Sequence, residues 1–398
     1  MDRGKGRMDL DKDIERIRED FPVLKYKTYL NTAATGPVML PVWRAVEEYW
    51  GLRLRDARFN PPKVRAEAAR LLGAKEEEIC WVSRVVQSFN MIRDMMDFEA
   101  GDNVVVTDLA YPSNVHTWLP LRARGVEIRR VENHDGLIEV ADFERMVDDN
   151  TKVISISHTE WASGLTYDLR ALAELAHDHG AFLAVDAYQS LGAVEIDVHK
   201  TDVDFLFSGA TKWLCCHTGA GIFYIREDLI GAFEPTYQYY GNVEEAFKHG
   251  APWEREEHDN IRDYDKPLVE DARKFERGTV TQADLWGLHA ALRYFNRLGL
   301  REIERRVKRL SGYLIEGLRD LGCRVNTPLE PERRAGLVTY HTGRHELNRR
   351  SVEVLNKRNV VVSLRYTGGV GGVRVSPHFY NTEEEIDQLL RIQKELLK

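Results

Sequence analysis

The sequence predicts an α/β protein: a mostly parallel β-sheet sandwiched by helices, followed by a smaller C-terminal α+β domain. Three observations support this fold class. Short apolar runs recur through the middle of the chain, a helical pattern ending at a glycine separates two of them, and the pattern changes after about residue 282. Repeated strand–helix–strand units place helices on both faces of a parallel sheet, which explains why its strands are apolar throughout.

The strands of this predicted sheet are continuous apolar runs. They are Asn103–Thr107, Val153–Ser157, Phe182–Asp186, Val203–Ser208 and Gly221–Ile225. Between the second and the third, the segment Asp168–His179 has apolar residues at helical spacing, and Gly180 follows as a helix stop. Ligands of such sheets bind at the carboxyl ends of the strands, so residues at those ends are the first candidates for a site.

The C-terminal part combines long amphipathic helices with short strands. The predicted helices are Leu285–Leu298, Glu302–Leu321, Asn348–Lys357 and Thr382–Leu397, and the predicted strands are Gly336–Thr342, Val360–Arg365 and Val373–Ser376. We expect an N-terminal segment at 1–34 that packs on the small domain, a large domain at 35–285 and a small domain at 286–398. The weakly patterned stretch Tyr237–Lys274 is predicted to be an insertion or lid.

Composition excludes several classes of function. The 398 residues carry a formal net charge of -8, which disfavours nucleic-acid binding and binding to anionic membranes. No apolar run approaches the ~20 residues of a membrane span, and residues 1–8 lack the apolar core of a signal peptide. The four cysteines form no disulfide framework and no zinc-type spacing, so we expect a reducing, cytoplasmic setting and no metal site.

An acidic residue and a lysine follow neighbouring strands of the predicted sheet. Asp186 ends one apolar strand, and Lys212 follows the next one within a largely apolar segment. Burial lowers the pKa of a lysine amine and makes it nucleophilic. Pyridoxal 5'-phosphate requires a lysine that bonds to its aldehyde and a carboxylate that keeps its ring nitrogen protonated. We therefore predict this cofactor, with Lys212 and Asp186 catalytic and Gln189 near the ring hydroxyl or the lysine.

Around these residues the chain resembles the class V aminotransferase family of fold type I pyridoxal-phosphate enzymes. The resemblance rests on Asp186–Gln189 and Ser208–Leu214 and extends over nearly the whole chain. The C-terminal motif Gly372–Thr382 is most similar to the branch of isopenicillin N epimerase, C–S lyases and selenocysteine lyase. The resemblance implies a seven-stranded-type sheet in an aspartate aminotransferase-like large domain, an amino-acid substrate and a homodimer.

The resemblance also implies roles for single residues. Main-chain N–H groups of the loop Val82–Asn90 would meet the cofactor phosphate at a helix start, although Val85 and Val86 stand where relatives carry hydroxyl groups. The implied cofactor-binding residues are Val85, Val86, Tyr111, Asp186, Gln189, Ser208, Thr211, Lys212 and Thr279, the last reaching the phosphate of the partner subunit. The implied substrate-binding residues are Asn31, Thr32, Arg365 and Arg374, and the guanidinium of Arg374 would grip the α-carboxylate.

One residue type is missing from a segment where the resemblance makes it informative. Desulfurases of this family carry a nucleophilic cysteine between the two C-terminal arginines, whereas only Tyr-Thr-Gly-Gly-Val-Gly-Gly-Val separates Arg365 from Arg374. We therefore expect a C–S lyase acting by β-elimination, or an epimerase, rather than a persulfide-forming desulfurase. Two alternatives stay open: an aminotransferase that passes an amino group to a 2-oxo acid, and a degenerate relative that binds cofactor without turnover. Cys215 and Cys216 are expected to be buried thiols.

Overall fold

The structure is a computed structural model and describes residues 9–55, 62–243, 267–278 and 281–398. Thr279, which the sequence assigned to the partner's phosphate, lies outside these residues, as does most of the predicted insertion at 237–274. The chain begins with α1 (Ile14–Glu19), β1 (Thr28–Tyr29), α2 (Leu40–Arg55) and α3 (Val64–Leu72).

A seven-stranded sheet follows, and six of its strands run in the same direction. Its strands are β2 (Ile79–Val82), β3 (Asn103–Thr107), β4 (Glu127–Val131), β5 (Thr151–Ser157), β6 (Phe182–Asp186), β7 (Phe205–Gly209) and β8 (Gly221–Ile225). Their order is β2-β8-β7-β6-β5-β3-β4, and β8 runs antiparallel to both of its neighbours. The predicted mostly parallel sheet is confirmed, and the strands Asn103–Thr107, Phe182–Asp186 and Gly221–Ile225 begin and end where the sequence placed them.

Helices connect these strands and cover both faces of the sheet. They are α4 (Val85–Met95), α5 (Pro112–His116), α6 (Val140–Glu144), α7 (Leu169–Asp178), α8 (Val198–Thr201) and α9 (Glu227–Ile230). Alternate residues of one strand enter different apolar clusters: Val105 of β3 lies in one, and Val104 and Val106 lie in the other. Since side chains alternate across a strand, both faces of this sheet are buried, and this is why its strands are apolar without alternation.

The C-terminal part forms a second, smaller layer. Its elements are α10 (Gln282–Leu298), α11 (Leu300–Asp320), β9 (Arg324–Val325), β10 (Val338–His341), α12 (His345–Lys357), β11 (Val360–Val361), β12 (Ser363–Thr367), β13 (Val370–Val375) and α13 (Glu383–Leu397). Four of the strands form an antiparallel sheet in the order β12-β13-β10-β9, and β1 pairs in parallel with β11. Within the described ranges, no helix is long and apolar enough to cross a membrane.

Candidate active site

A cavity of about 240 Å³ opens at the carboxyl edge of the main sheet. Because β6 and β7 are parallel neighbours, the end of β6 at Asp186 and the loop after β7 meet at the same edge. The cavity is lined by Arg84, Val85, Val86, Tyr111, Ser113, Asn114, Ser157, Trp161, Asp186, Tyr188, Gln189 and Lys212. Six of the residues assigned from the sequence therefore line one cavity: Val85, Val86, Tyr111, Asp186, Gln189 and Lys212.

The half-buried Lys212 lines this cavity with its amine. Burial lowers the pKa of Lys212 to about 8, while the nearby Asp186 carboxylate opposes that shift. The amine nitrogen lies 4.1 Å from the centre of the Tyr188 ring and 5.8 Å from that of Tyr111. At neutral pH, a useful fraction of this amine is therefore unprotonated and nucleophilic, which an exposed lysine with its ordinary pKa would not provide.

The loop that carries Lys212 is held from the N-terminal side of the chain. Gly36 donates its main-chain N–H to the oxygen of Thr211 at 2.8 Å. A Cβ atom at Gly36 would collide with the main-chain oxygen of Lys212, so the close approach requires glycine here.

The same loop is held from the C-terminal side. Nε2 of His378 donates to the main-chain oxygen of Trp213 at 2.8 Å. Burial lowers the pKa of His378 to about 3, so the ring stays neutral and keeps the proton on the nitrogen that donates. The two contacts together fix the main chain on either side of Lys212.

Asp186 is the second ionisable group of the cavity. Its Oδ1 accepts the main-chain N–H of Tyr188 at 2.8 Å. Burial raises the pKa of Asp186 to about 6, although the N–H of Tyr188 and the charge of Lys212 act to lower it. The carboxyl is therefore mainly ionised at neutral pH and can stabilise a protonated ring nitrogen.

One wall of the cavity is the first turn of α4. Arg84 is its N-cap, and Gln87 Oε1 accepts the N–H groups of Ser83 and Arg84 at 3.1 and 3.2 Å. The N–H groups of Val85 and Val86 belong to the first turn, where no carbonyl of the helix can accept them. Together with the positive end of the helix dipole, they suit an anion such as a phosphate, and this requires no side-chain hydroxyl.

Arg374 is almost fully buried, with 1% of its surface exposed. Its Nη1 donates to the oxygen of Trp161 at 2.9 Å, whereas its Nε and Nη2 have no partner among the residues that the structure describes. Burial lowers the pKa of Arg374 to about 9, and the charge of Arg365 adds to this shift. A buried guanidinium with two unused donors suits a carboxylate that binds with two parallel hydrogen bonds.

The remaining assigned residues do not line this cavity. The Ser208 hydroxyl lies 3.1 Å from the main-chain oxygen of Gly209, and the Thr211 hydroxyl lies 3.4 Å from that of Cys216. Nη1 of Arg365 donates to the oxygen of Leu364 at 2.7 Å.

The two residues of the N-terminal loop are buried or nearly so beside the C-terminal motif. Thr32 Oγ1 and the Tyr380 hydroxyl are 2.6 Å apart, and Oδ1 of Asn31 is buried without a partner in the described part of the chain. The amide of Gln189 joins two loops, because it donates to the oxygen of Ala33 and accepts from Nε1 of Trp213 at 3.1 and 3.0 Å.

Sequence reasoning missed Tyr188 and the role of His378. Tyr188 lies between Asp186 and Gln189, but a single aromatic residue after a strand carries no signal of its own. The contact of His378 joins residues that are far apart in the chain, so no local pattern could have indicated it.

Comparisons with known proteins bear on this site. A family model described as aminotransferase class-V matches residues 28–389. A probable cysteine desulfurase of Methanothermobacter thermautotrophicus is 30% identical over 408 residues, which cover 94% of this chain and 96% of that protein. The uncharacterized aminotransferase YcbU of Bacillus subtilis is 27% identical over 94% of this chain and 95% of its own.

Solved structures have the same fold. The apo cysteine desulfurase of Thermococcus onnurineus NA1 is 28% identical, has a TM-score of 0.84 and covers 99% of both chains. The cystine C–S lyase C-DES, in complex with cysteine persulfide, has a TM-score of 0.81 over 94% of this chain and 99% of its own. Because its identity is 22%, that likeness supports the fold alone. The predicted fold class is thus confirmed.

Proposed function

Since the chain belongs to the class V aminotransferase family, as its motifs predicted, we propose that it is a pyridoxal-phosphate enzyme that releases sulfur from an amino acid by β-elimination. The observation that carries this proposal is that Lys212, an amine of lowered pKa, lines one cavity with the carboxylate of Asp186. Groups of perturbed pKa are concentrated at sites of chemistry, and here both line an open cavity.

The residues of the cavity fit the cofactor. The amine of Lys212 suits its aldehyde, Asp186 suits its ring nitrogen, and the N–H groups of Val85 and Val86 suit its phosphate. When bound, pyridoxal phosphate supplies an aldehyde that condenses with amines and a ring that withdraws electrons from the α-carbon. Tyr111 and Gln189 line the same cavity, and their contacts to the cofactor stay predictions.

Lys212 has the properties of a general base. A neutral amine in the cavity can take the α-proton of a bound amino acid, and Asp186 supplies a negative charge close to the protonated lysine that results. A group works best as a general base when its pKa is near the working pH, and the pKa of Lys212, about 8, meets this requirement.

Arg374 is the proposed anchor for the substrate. Its buried guanidinium gains two charge-assisted hydrogen bonds when a carboxylate binds to Nε and Nη2. Arg374 and Arg365 both act on the charge of Lys212, which indicates that a substrate bound at Arg374 lies within electrostatic range of the amine. The substrate class is therefore an α-amino acid with a free carboxylate.

The cysteines favour elimination over persulfide transfer to the protein. All four thiols, Cys80, Cys215, Cys216 and Cys323, are buried, and none lines the cavity. Burial raises the pKa of Cys216 to about 12, so this thiol is not a nucleophile at neutral pH. Loss of the α-proton and cleavage of the Cβ–S bond therefore release the sulfur as a thiol or sulfide, and water hydrolyses the remaining 2-aminoacrylate to pyruvate and ammonia.

An aminotransferase is the second candidate, because the family model and the relative YcbU carry that name. An epimerase stays a further outcome, since the α-carbon that loses its proton to Lys212 can regain one on the other face. The homodimer, the reach of Thr279 into a partner's site and the cytoplasmic location stay predictions.

Product analysis separates these reactions. The purified chain is incubated with pyridoxal phosphate and, in turn, with L-cysteine, L-cystine and a panel of other L- and D-amino acids. Pyruvate and ammonia in equal amounts, with sulfide or a persulfide, are the expected products. Alanine in place of pyruvate contradicts elimination, and accumulation of the amine form of the cofactor with a 2-oxo acid identifies an aminotransferase.

The control variant is Lys212→Ala, which should bind no cofactor covalently and should lose turnover. Deuterium at the α-carbon of recovered D-amino acid, after reaction of the L-form in heavy water, identifies an epimerase. If the wild-type chain captures the cofactor but converts none of these substrates, the degenerate alternative replaces the proposal.

A further inference from the structure

Tyr188 is packed directly against the catalytic lysine. Its main-chain N–H is fixed by Asp186, and its ring centre lies 4.1 Å from the amine nitrogen of Lys212. The ring can lie there because residue 209 has no side chain. A Cβ atom at Gly209 would come within 2.7 Å of Cε2 and Cζ of Tyr188. Gly209 does not have a positive φ, so its backbone conformation does not require glycine. The space that the Tyr188 ring occupies does require it.

The charges around the amine act in opposite directions. The carboxylate of Asp186 favours the protonated amine, whereas burial and the positive charges of Arg374 and Arg365 oppose it. Arg84 lines the same cavity and acts on the phenol of Tyr188, as do Asp186 and Tyr111. Burial raises the pKa of Tyr188 to about 12, so its phenol stays neutral at neutral pH. An aromatic face at this distance attracts an ammonium group.

We propose that the ring of Tyr188, packed over Gly209, is the binding face for the protonated amine of Lys212, which makes Tyr188 a positioning residue for the catalytic lysine. The ring partly offsets the cost of burying the charge, because an aromatic face is a better neighbour for a cation than an aliphatic wall. It also fixes where the amine lies whenever it has taken a proton. This inference rests on the proposed role of Lys212, but its test involves no turnover.

The test measures the proton equilibrium of Lys212 in the full-length chain freed of cofactor. Cyanate carbamoylates only the neutral amine, and peptide mass spectrometry gives the rate at Lys212 from pH 6 to pH 10. The midpoint of the rate against pH reports the pKa of the amine, whereas the plateau at high pH reports its accessibility. A change in the exposure of the lysine is thereby separated from a change in its charge.

Tyr188→Leu is expected to lower the midpoint by about 0.4 to 1.5 pH units, the range of a cation–π contact. Tyr188→Phe keeps the aromatic face that attracts the ammonium group, so its midpoint should stay within about 0.3 pH units of the wild type. A midpoint that is unchanged or higher in Tyr188→Leu overturns the proposal. So does a Tyr188→Phe variant that matches Tyr188→Leu, because the hydroxyl would then be the active group.

Gly209→Ala provides an independent route, since it displaces the ring without removing it. The expected result is a lower midpoint in the wild-type background and no further change when Gly209→Ala is added to Tyr188→Leu. If Gly209→Ala shifts the midpoint equally in the two backgrounds, Gly209 acts on the lysine without Tyr188. That result contradicts the proposed packing of the ring over Gly209. Pyridoxal phosphate capture and product formation are measured separately, so failure of the lyase proposal leaves this result interpretable.

Discussion

The imidazole of His378 donates to the main-chain oxygen of Trp213 at 2.8 Å, one residue from Lys212. His378 belongs to the motif that follows β13, and its ring packs edge-on against the indole of Trp213 with 5.1 Å between centroids. The C-terminal motif recognised in the sequence therefore supports the lysine loop as well as carrying Arg374.

His378→Phe should destabilise the fold by about 1–3 kcal/mol, because the buried oxygen of Trp213 loses its donor. Chemical denaturation measures this free energy of unfolding. His378→Gln is the matched control, since its amide can place an N–H near the position of Nε2, and it should retain more of the stability. Equal losses for the two variants would mean that ring packing, and not the hydrogen bond, is what His378 contributes.

Replacing Arg374 should separate stability from activity. Arg374→Met removes a buried charge with two unused donors, so the free energy of unfolding should rise by about 1–3 kcal/mol. Loss of the hydrogen bond to Trp161 offsets part of this gain. The same variant should lose about 10- to 100-fold in kcat/KM for amino acids, because the carboxylate anchor is gone. Arg365→Met, at a half-buried residue, is the control and should change stability by less than about 0.5 kcal/mol. A destabilised Arg374→Met variant that keeps its kcat/KM contradicts both expectations.

Capture of pyridoxal phosphate by the cofactor-free protein should depend on pH with a midpoint near 8. The reason is that burial lowers the pKa of Lys212 to about 8, and only the neutral amine attacks an aldehyde. Stopped-flow absorbance from pH 6 to pH 10 measures the rate, and Lys212→Ala gives the background. A rate that still climbs tenfold per pH unit above pH 9 would mean that the amine has an ordinary lysine pKa.

His177 should make stability depend on pH. Its Nε2 lies 3.0 Å from Oδ2 of the fully buried Asp204, and this hydrogen bond raises the pKa of His177 above its ordinary 6.5. The folded protein therefore binds the proton more tightly than the unfolded chain does. The contribution of this ion pair to the free energy of unfolding is fully present below pH 6.5 and is lost as the pH rises through the raised pKa of His177.

His177→Gln should accordingly cost more stability at pH 6 than at pH 9, by up to about 1 kcal/mol. Thermal or urea unfolding at the two pH values measures the difference. His179→Gln is a suitable control, because its partner Asp149 is exposed, and it should have little effect at either pH. A larger loss at pH 9 would reverse the sign and refute the assignment.

The sequence predicted the main sheet well because its strands are buried on both faces and therefore read as plain apolar runs. It did not indicate β2, since Ile79–Val82 is a four-residue run directly after three glutamates. Val203 was predicted to begin a strand that in fact begins at Phe205, and Gly209, predicted to follow that strand, is part of it. A helix at Val198–Thr201 precedes it, and short elements of this kind are fixed by tertiary contacts.

For the site, the sequence indicated the residues whose chemistry is unusual at a strand end, Asp186 and Lys212. It could not indicate that Gly209 makes room for Tyr188, because this contact joins the end of β7 to the turn after β6 and depends on the absence of a side chain. Its assignment of Ser208 to the cofactor stays a prediction, and in the structure this hydroxyl lies 3.1 Å from the main-chain oxygen of Gly209. The face that a strand residue presents depends on the register of the strand, because a shift of one residue moves every side chain to the other face.

The contacts that hold the lysine loop come from segments that lie far apart in the sequence. Gly36 and the N–H of Ala33, which Ser376 Oγ accepts at 3.0 Å, come from the first tenth of the chain, whereas Ser376 and His378 come from its last. During synthesis on the ribosome, the main sheet can assemble long before its reactive amine has this support. The lysine loop thus gains this support only after the segment with Ser376 and His378 has been made, and a chain shortened before Ser376 is expected to lack these contacts.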